Sequence, residues 1–165
     1  MATIESSREL FVHKLGTALT MEETALEMLA TFEEKASDSQ LQLRLRHQHQ
    51  QTQRQIQNLR RAFEALGEEI ESRPSQTVDA LEQEGTRMIE QVDDGLVDSV
   101  ILDGVIETAS HEIAAYNELI IKAETIDEED LVPLFQENLE QKQQALEEAI
   151  KSAEQVSFQL TKQNL

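Results

Sequence analysis

Four long stretches of this chain repeat apolar residues at the three-and-four spacing of one helical face, and each of those stripes breaks near the middle with an ionisable or amide side chain. In the first, the inward positions run Phe11, Leu15, Ala18, Glu22, Leu26, Leu29 and Phe32. Glu22 stands where a leucine would otherwise close the stripe. Burying an unpaired carboxylate costs several kcal/mol at least, so the chain must bring a metal, a counter-ion or a proton to that place.

The same arithmetic runs through the other segments. A first helix is expected from about Ser6 to Ala36, and a second from about Gln40 to Leu66 behind the turn-forming Ser37-Asp38-Ser39, closed by Gly67. The second stripe reads Leu41, Leu45, Gln48, Thr52, Gln55, Ile56, Leu59, Phe63 and Leu66. A polar connection from Glu68 to Ser75 contains the breaker Arg73-Pro74-Ser75. A shorter helix then carries Val78, Leu81, Met88, Ile89 and Val92 and ends near Asp93-Asp94-Gly95. The third long helix, about Leu96 to Glu124, shows Val97, Ile101, Val105, Thr108, Glu112, Ala115 and Leu119. Its second apolar line, Leu102, Ile106, Ile113 and Ile120, needs cover from the short helix or from a second copy, which makes a homodimer the expected assembly. The last helix starts between Asp127 and Pro133 and runs to about Leu160, with Leu131, Phe135, Leu139, Lys142, Ala145, Leu146, Ala149, Ala153, Val156 and Leu160 inward. Here the interruption is a lysine.

Helices of roughly 30 residues are about 45 Å long, and a long link between the second and third describes an all-α four-helix bundle with a crossover and a short extra helix, in one domain over 1–165. No stretch alternates with period two, so no sheet is expected. Glu22, Thr52, Gln55, Glu112 and Lys142 fall at similar heights and are expected to meet in one buried polar cluster. In bundles of this connectivity that layer is where carboxylate-bridged di-iron or di-manganese sites are built.

Composition excludes much else. Thirty-three acidic against fourteen basic residues, a formal charge of −19, argue against nucleic-acid and anionic-membrane surfaces. The excess would suit a high-salt cytoplasm and equally an ordinary acidic protein. Without cysteine the chain fits a reducing compartment. The opening residues, Met1 to Glu5, carry no basic and apolar leader, and no segment approaches the roughly 18 uninterrupted apolar residues of a membrane span, so a cytoplasmic protein is expected. There is no phosphate-binding glycine loop, nucleophile elbow or aromatic-basic interleaving.

Several segments, in order and over most of the chain, resemble the YciE/YciF-type ferritin-like proteins of bacteria and archaea: Leu10-Phe11-Val12-His13-Lys14-Leu15, the surroundings of Glu22, Thr52 through Gln55-Ile56 to Phe63-Glu64-Ala65-Leu66-Gly67, Glu112-Ile113-Ala114-Ala115-Tyr116, and Leu134-Phe135-Gln136-Glu137-Asn138-Leu139-Glu140. The resemblance implies a ferritin-like bundle, often dimeric, with a di-metal centre and a role associated with stress. This chain departs from the pattern at the chemistry. It has His49-Gln50-Gln51-Thr52-Gln53 where the family is rich in carboxylates, Ala109 and Ser110 where it has Glu and His, and Lys142 and Ala145 where an acidic ligand and its partner fall.

Glu22 and Glu112 are then the surviving ligands, whereas a di-metal centre is neutralised by about four carboxylates plus imidazoles. The leading expectation is a metal-free bundle without cofactor or catalytic residues, in which Lys142 bridges Glu22 and Glu112 and the amides of Gln55 and Gln51 complete the hydrogen bonds; its role would be structural or partner-binding. The opposing reading has Lys142 extending to solvent and the glutamates lining a wet cleft. A second function class is a di-iron or di-manganese oxidoreductase or ferroxidase that recruits Glu107, His111 and Glu140 beside Glu22 and Glu112. A third is a plain helical interaction module. His47 and His49, two apart, cannot chelate one ion from a helix, and the Arg44, Arg46 and Arg54 stretch reads as a solvated face. His13 reads as a boundary residue.

Overall fold

The computed structural model describes residues 2–163, so Met1 falls outside it. Four long helices, α1 (Ser7–Lys35), α2 (Ser39–Leu66), α4 (Val97–Thr125) and α5 (Val132–Lys162), form the bundle, and α3 (Gln76–Gln91) lies in the connection between α2 and α4. Single 3₁₀ turns, Asp94–Leu96 and Glu129–Leu131, lead into α4 and α5.

The helix ends follow from local chemistry. Ser6 Oγ accepts from Glu9 N at 3.1 Å and Asp38 Oδ2 from Leu41 N at 2.8 Å, each satisfying an orphan amide of the first turn. Gly67 ends α2 at φ 70°, which lets Glu68 N donate to Phe63 O across the terminus. Ser75 caps α3.

Two sets of bonds fix the topology. At one end of the bundle Asp98, in the first turn of α4, accepts from Ser37 N, Ser37 Oγ and Asp38 N at 2.8, 2.9 and 3.0 Å, tying the α1–α2 corner to the start of α4. At the other end Arg8 donates to Leu66 O and to Glu128 in the α4–α5 turn. α2 and α4 therefore start at the same end and run parallel, and the crossover must climb the length of the bundle between them. It does so along α1: Arg73 N donates to Gly16 O at 3.0 Å and Thr20 Oγ1 to Arg73 O at 2.6 Å. A Cβ on Gly16 would stand 2.8 Å from Glu71 O, so only glycine admits the strap this close.

The core divides into two apolar halves. One gathers Phe11, Leu15, Leu59, Phe63, Leu119, Phe135 and Leu139; the other Phe32, Leu41, Leu45, Ile101, Leu102 and Val105. The stripes differ in places from the sequence reading. Leu26 is only half-buried while Ala25, Leu19 and Met21 are buried. α3 packs on α1 and α4 and gives α1 a second covered side on the flank of Met21, Met28 and Phe32: Gly85 of α3 and Gly104 of α4 both abut the Phe32 ring. Of the second line on α4, Leu102 is buried, and Ile106, Ile113 and Ile120 are half-buried against the two core halves. No helix among the described residues is long and apolar enough to cross a membrane.

Candidate functional site: a buried ion cluster

Between the two apolar halves lies a polar layer supplied by all four long helices. Lys142 Nζ, from α5, stands 3.0 Å from Glu22 Oε1 of α1 and 2.5 Å from Glu112 Oε2 of α4, and the three side chains are almost wholly withdrawn from solvent. Each arrives there because its helix stripe points it inward, and the stem of Lys142 spans the bundle toward the carboxylates rather than toward water.

One ammonium between two carboxylates leaves one negative charge over. Burial pushes the Glu22 carboxyl well above the usual carboxylate range; Lys142 pulls it down and the like charge of Glu112 pushes it further up. A proton on Glu22 makes the cluster neutral. Burial pulls Lys142 down as well, but Glu112 and Glu22 more than offset this and hold its ammonium above the ordinary lysine value. Tyr116, fully buried, has its phenol pushed well up by burial and by the adjacent Glu22.

The raised Glu22 value has a sign that can be measured. A carboxyl whose folded pKa exceeds its unfolded one contributes stability that is complete below the unfolded value and is lost as pH rises through the folded one. Glu22→Gln keeps the shape of the neutral acid without its titration. In urea unfolding, the stability of E22Q relative to the parent is expected to rise as pH climbs above about 5, until the folded Glu22 has itself ionised. A pH-independent difference would show that Glu22 is ionised throughout.

One turn away the layer continues as hydrogen bonds. Asn138 Nδ2 donates to Tyr116 Oη at 3.0 Å and to Gln55 O at 3.2 Å, and Asn58 Nδ2 donates to Asn138 Oδ1 at 2.9 Å. The sequence reading assigned none of these three residues to the polar layer although the signal was there. Tyr116 follows Glu112 by four, Asn138 precedes Lys142 by four, and Asn58 follows Gln55 by three, so each shares a face with a residue already singled out.

Thr52 and Gln55 reach the layer but do not complete the cluster. Thr52 Oγ1 donates back to Gln48 O at 2.9 Å, and Gln55 Nε2 donates to Gln141 Oε1 at 2.8 Å. Gln141, next to Lys142 on α5, takes the amide assigned above to the glutamates, and Gln51 lines only the cavity beside them. That cavity also exposes Gln55 Oε1, Glu112 and Lys142.

The residues do not fit a di-metal centre. The ammonium of Lys142 already faces Glu22 Oε1 and Glu112 Oε2 and would repel a divalent ion, while Thr52, Ala109 and Ala145 present no ligand atom suited to it. Glu107 and Glu140 are exposed, and His111 lines a separate surface groove with His13, Lys14 and Glu118. Among the described residues no group of three or more His, Asp or Glu side chains converges as a metal site would require. The basic stretch on α2 is answered residue by residue: Arg44 donates to Ser152 Oγ, Arg46 pairs with Glu33 and Arg54 with Glu137.

A family model described as a domain of unknown function, DUF892, matches residues 6–162. Solved structures are similar over nearly the whole fold. YcfI, "a putative structural protein" from Rhodopseudomonas palustris, is 25% identical with a TM-score of 0.86, covering 88% of this chain and 94% of its own. The E. coli stress protein YciF is 19% identical with a TM-score of 0.88, covering 93% and 98%. A Xanthomonas campestris pv. campestris protein is 22% identical with a TM-score of 0.76, covering 97% and 100%. No curated protein matches.

Proposed function

This chain belongs to the DUF892 family, and we propose that within it the chain is a ferritin-like bundle that has lost its di-metal centre and serves a structural or partner-binding role rather than a catalytic one. The single observation behind this is the position of Lys142 Nζ, 2.5 Å from one glutamate and 3.0 Å from the other. A cation supplied by the chain does the neutralising that a bound metal would do, so the bundle centre is complete without a cofactor. The descriptions of two similar proteins, one structural and one a stress protein, support a structural, stress-related role. A homodimer is the working assembly under this reading, with the part of Ile106, Ile113 and Ile120 that their own core leaves exposed as its support.

Elemental analysis of protein purified without chelator tests the reading. The expected result is iron and manganese far below one equivalent per chain. About two equivalents, the content of a dinuclear centre, would overturn it.

A further inference from the structure

The cavity beside the ion cluster has chemistry of its own. Apolar side chains such as Met28 and Val105 line it together with Gln55, Thr108, Glu112 and Lys142. Gln55 Oε1 and Thr108 Oγ1 are buried oxygens without a hydrogen-bond partner, and Glu112 Oε2 faces the Lys142 ammonium. Gln55 is 2% exposed and Glu112 4%, so neither side chain is free to turn outward and find solvent. Space for the centres of water molecules amounts to about 30 Å³. One water needs roughly 10–15 Å³ on that measure, which makes room for about two. Gln48 and Gln51, half-exposed on α2, stand at the outer side of the cavity.

We propose that this cavity is a water site, holding a pair of waters on Gln55 Oε1 and Thr108 Oγ1 beside the Glu112 carboxylate and joining the buried cluster to solvent past Gln48 and Gln51. The occupant follows by elimination. A cation would meet the Lys142 ammonium, an anion would meet the Glu112 carboxylate, and an apolar molecule would leave the Gln55 and Thr108 oxygens unpaired. What remains is a small neutral molecule that donates hydrogen bonds and can also accept one from the Thr108 hydroxyl. Water meets all three demands at the available size. Its consequence is a route by which the proton of the Glu22, Glu112 and Lys142 cluster exchanges with bulk water while the bundle stays folded. The site rests on the ion-cluster reading, because Lys142 and Glu112 form its floor.

Two measurements decide it. Thr108→Val keeps the β-branched shape and removes one water partner. If the cavity is hydrated, T108V loses a water bridge and its urea midpoint falls below that of the parent. If the cavity is dry, the parent carries a stranded hydroxyl that valine relieves, and the midpoint stays level or rises, which overturns the proposal. A crystal structure that resolves ordered solvent should show two waters within hydrogen-bond reach of Gln55 and Thr108. A map with Lys142 bridging the glutamates but no density on Gln55 overturns the water site alone. Density for a metal ion bridging Glu22 and Glu112 overturns both the site and the reading beneath it.

Discussion

Replacing Lys142 by methionine is expected to destabilise the bundle by about 3–5 kcal/mol at neutral pH, a large share of the roughly 5–15 kcal/mol that holds an ordinary domain together. Methionine fills much of the lysine stem, so the loss is electrostatic rather than a cavity. It leaves Glu22 and Glu112 side by side without the ammonium that faces both. The pair can then be neutralised only by protons, and the Glu22 carboxyl, already pushed up by burial, loses the charge that pulled it down. The sign follows: the variant's deficit is smallest near about pH 5 and grows as pH rises toward about pH 8. Urea midpoints at the two pH values, with and without chelator, make the measurement. A deficit below about 0.5 kcal/mol at both would mean that Lys142 carries none of the neutralisation.

The parts of this molecule legible in its sequence are those set by local spacing and local caps. Ser6, Asp38, Gly67 and Ser75 announce helix ends because each satisfies or terminates a backbone pattern within three or four residues of itself. Glu22, Glu112 and Lys142 stand out because a charged residue on an apolar stripe has nowhere to go but inward. What spacing could not give is the choice among partners. Gln55 is buried where its stripe puts it, yet its amide goes to Gln141, a neighbour across the bundle that no count along one helix reveals. The side of α3 was equally invisible. Only when α3 lies on α1 and α4 do Met21 and Met28 gain their cover, and only the approach of the Glu71 carbonyl explains why residue 16 has no side chain. The sequence also undervalued the neutral polar layer, because Tyr116, Asn58 and Asn138 look unremarkable until they are seen to bond one another.

If the cluster is there to hold the bundle together rather than to perform chemistry, it should be dispensable as a unit although none of its members is dispensable alone. The combined variant Glu22→Leu, Glu112→Leu, Lys142→Met and Tyr116→Phe tests this. It removes both negative charges, the ammonium and the hydroxyl beside Glu22, leaving no charged group stranded. Asn138 keeps Gln55 O as an acceptor for its amide and Asn58 as a donor. The replaced residues sit between two apolar halves that the new side chains would join into one core. Buried ion clusters replaced by apolar residues of similar volume often leave stability unchanged or raise it by about 1–4 kcal/mol, since the desolvation of several charges is no longer borne. The expected result is therefore a folded helical protein at least as stable as the parent, with a flatter dependence of stability on pH because Glu22 no longer titrates. A large loss of stability would show that the ionic layer specifies the packing of the four helices and is more than a neutralised relic. A gain, set beside the deficit of K142M alone, would show that the lysine is needed only because the glutamates remain.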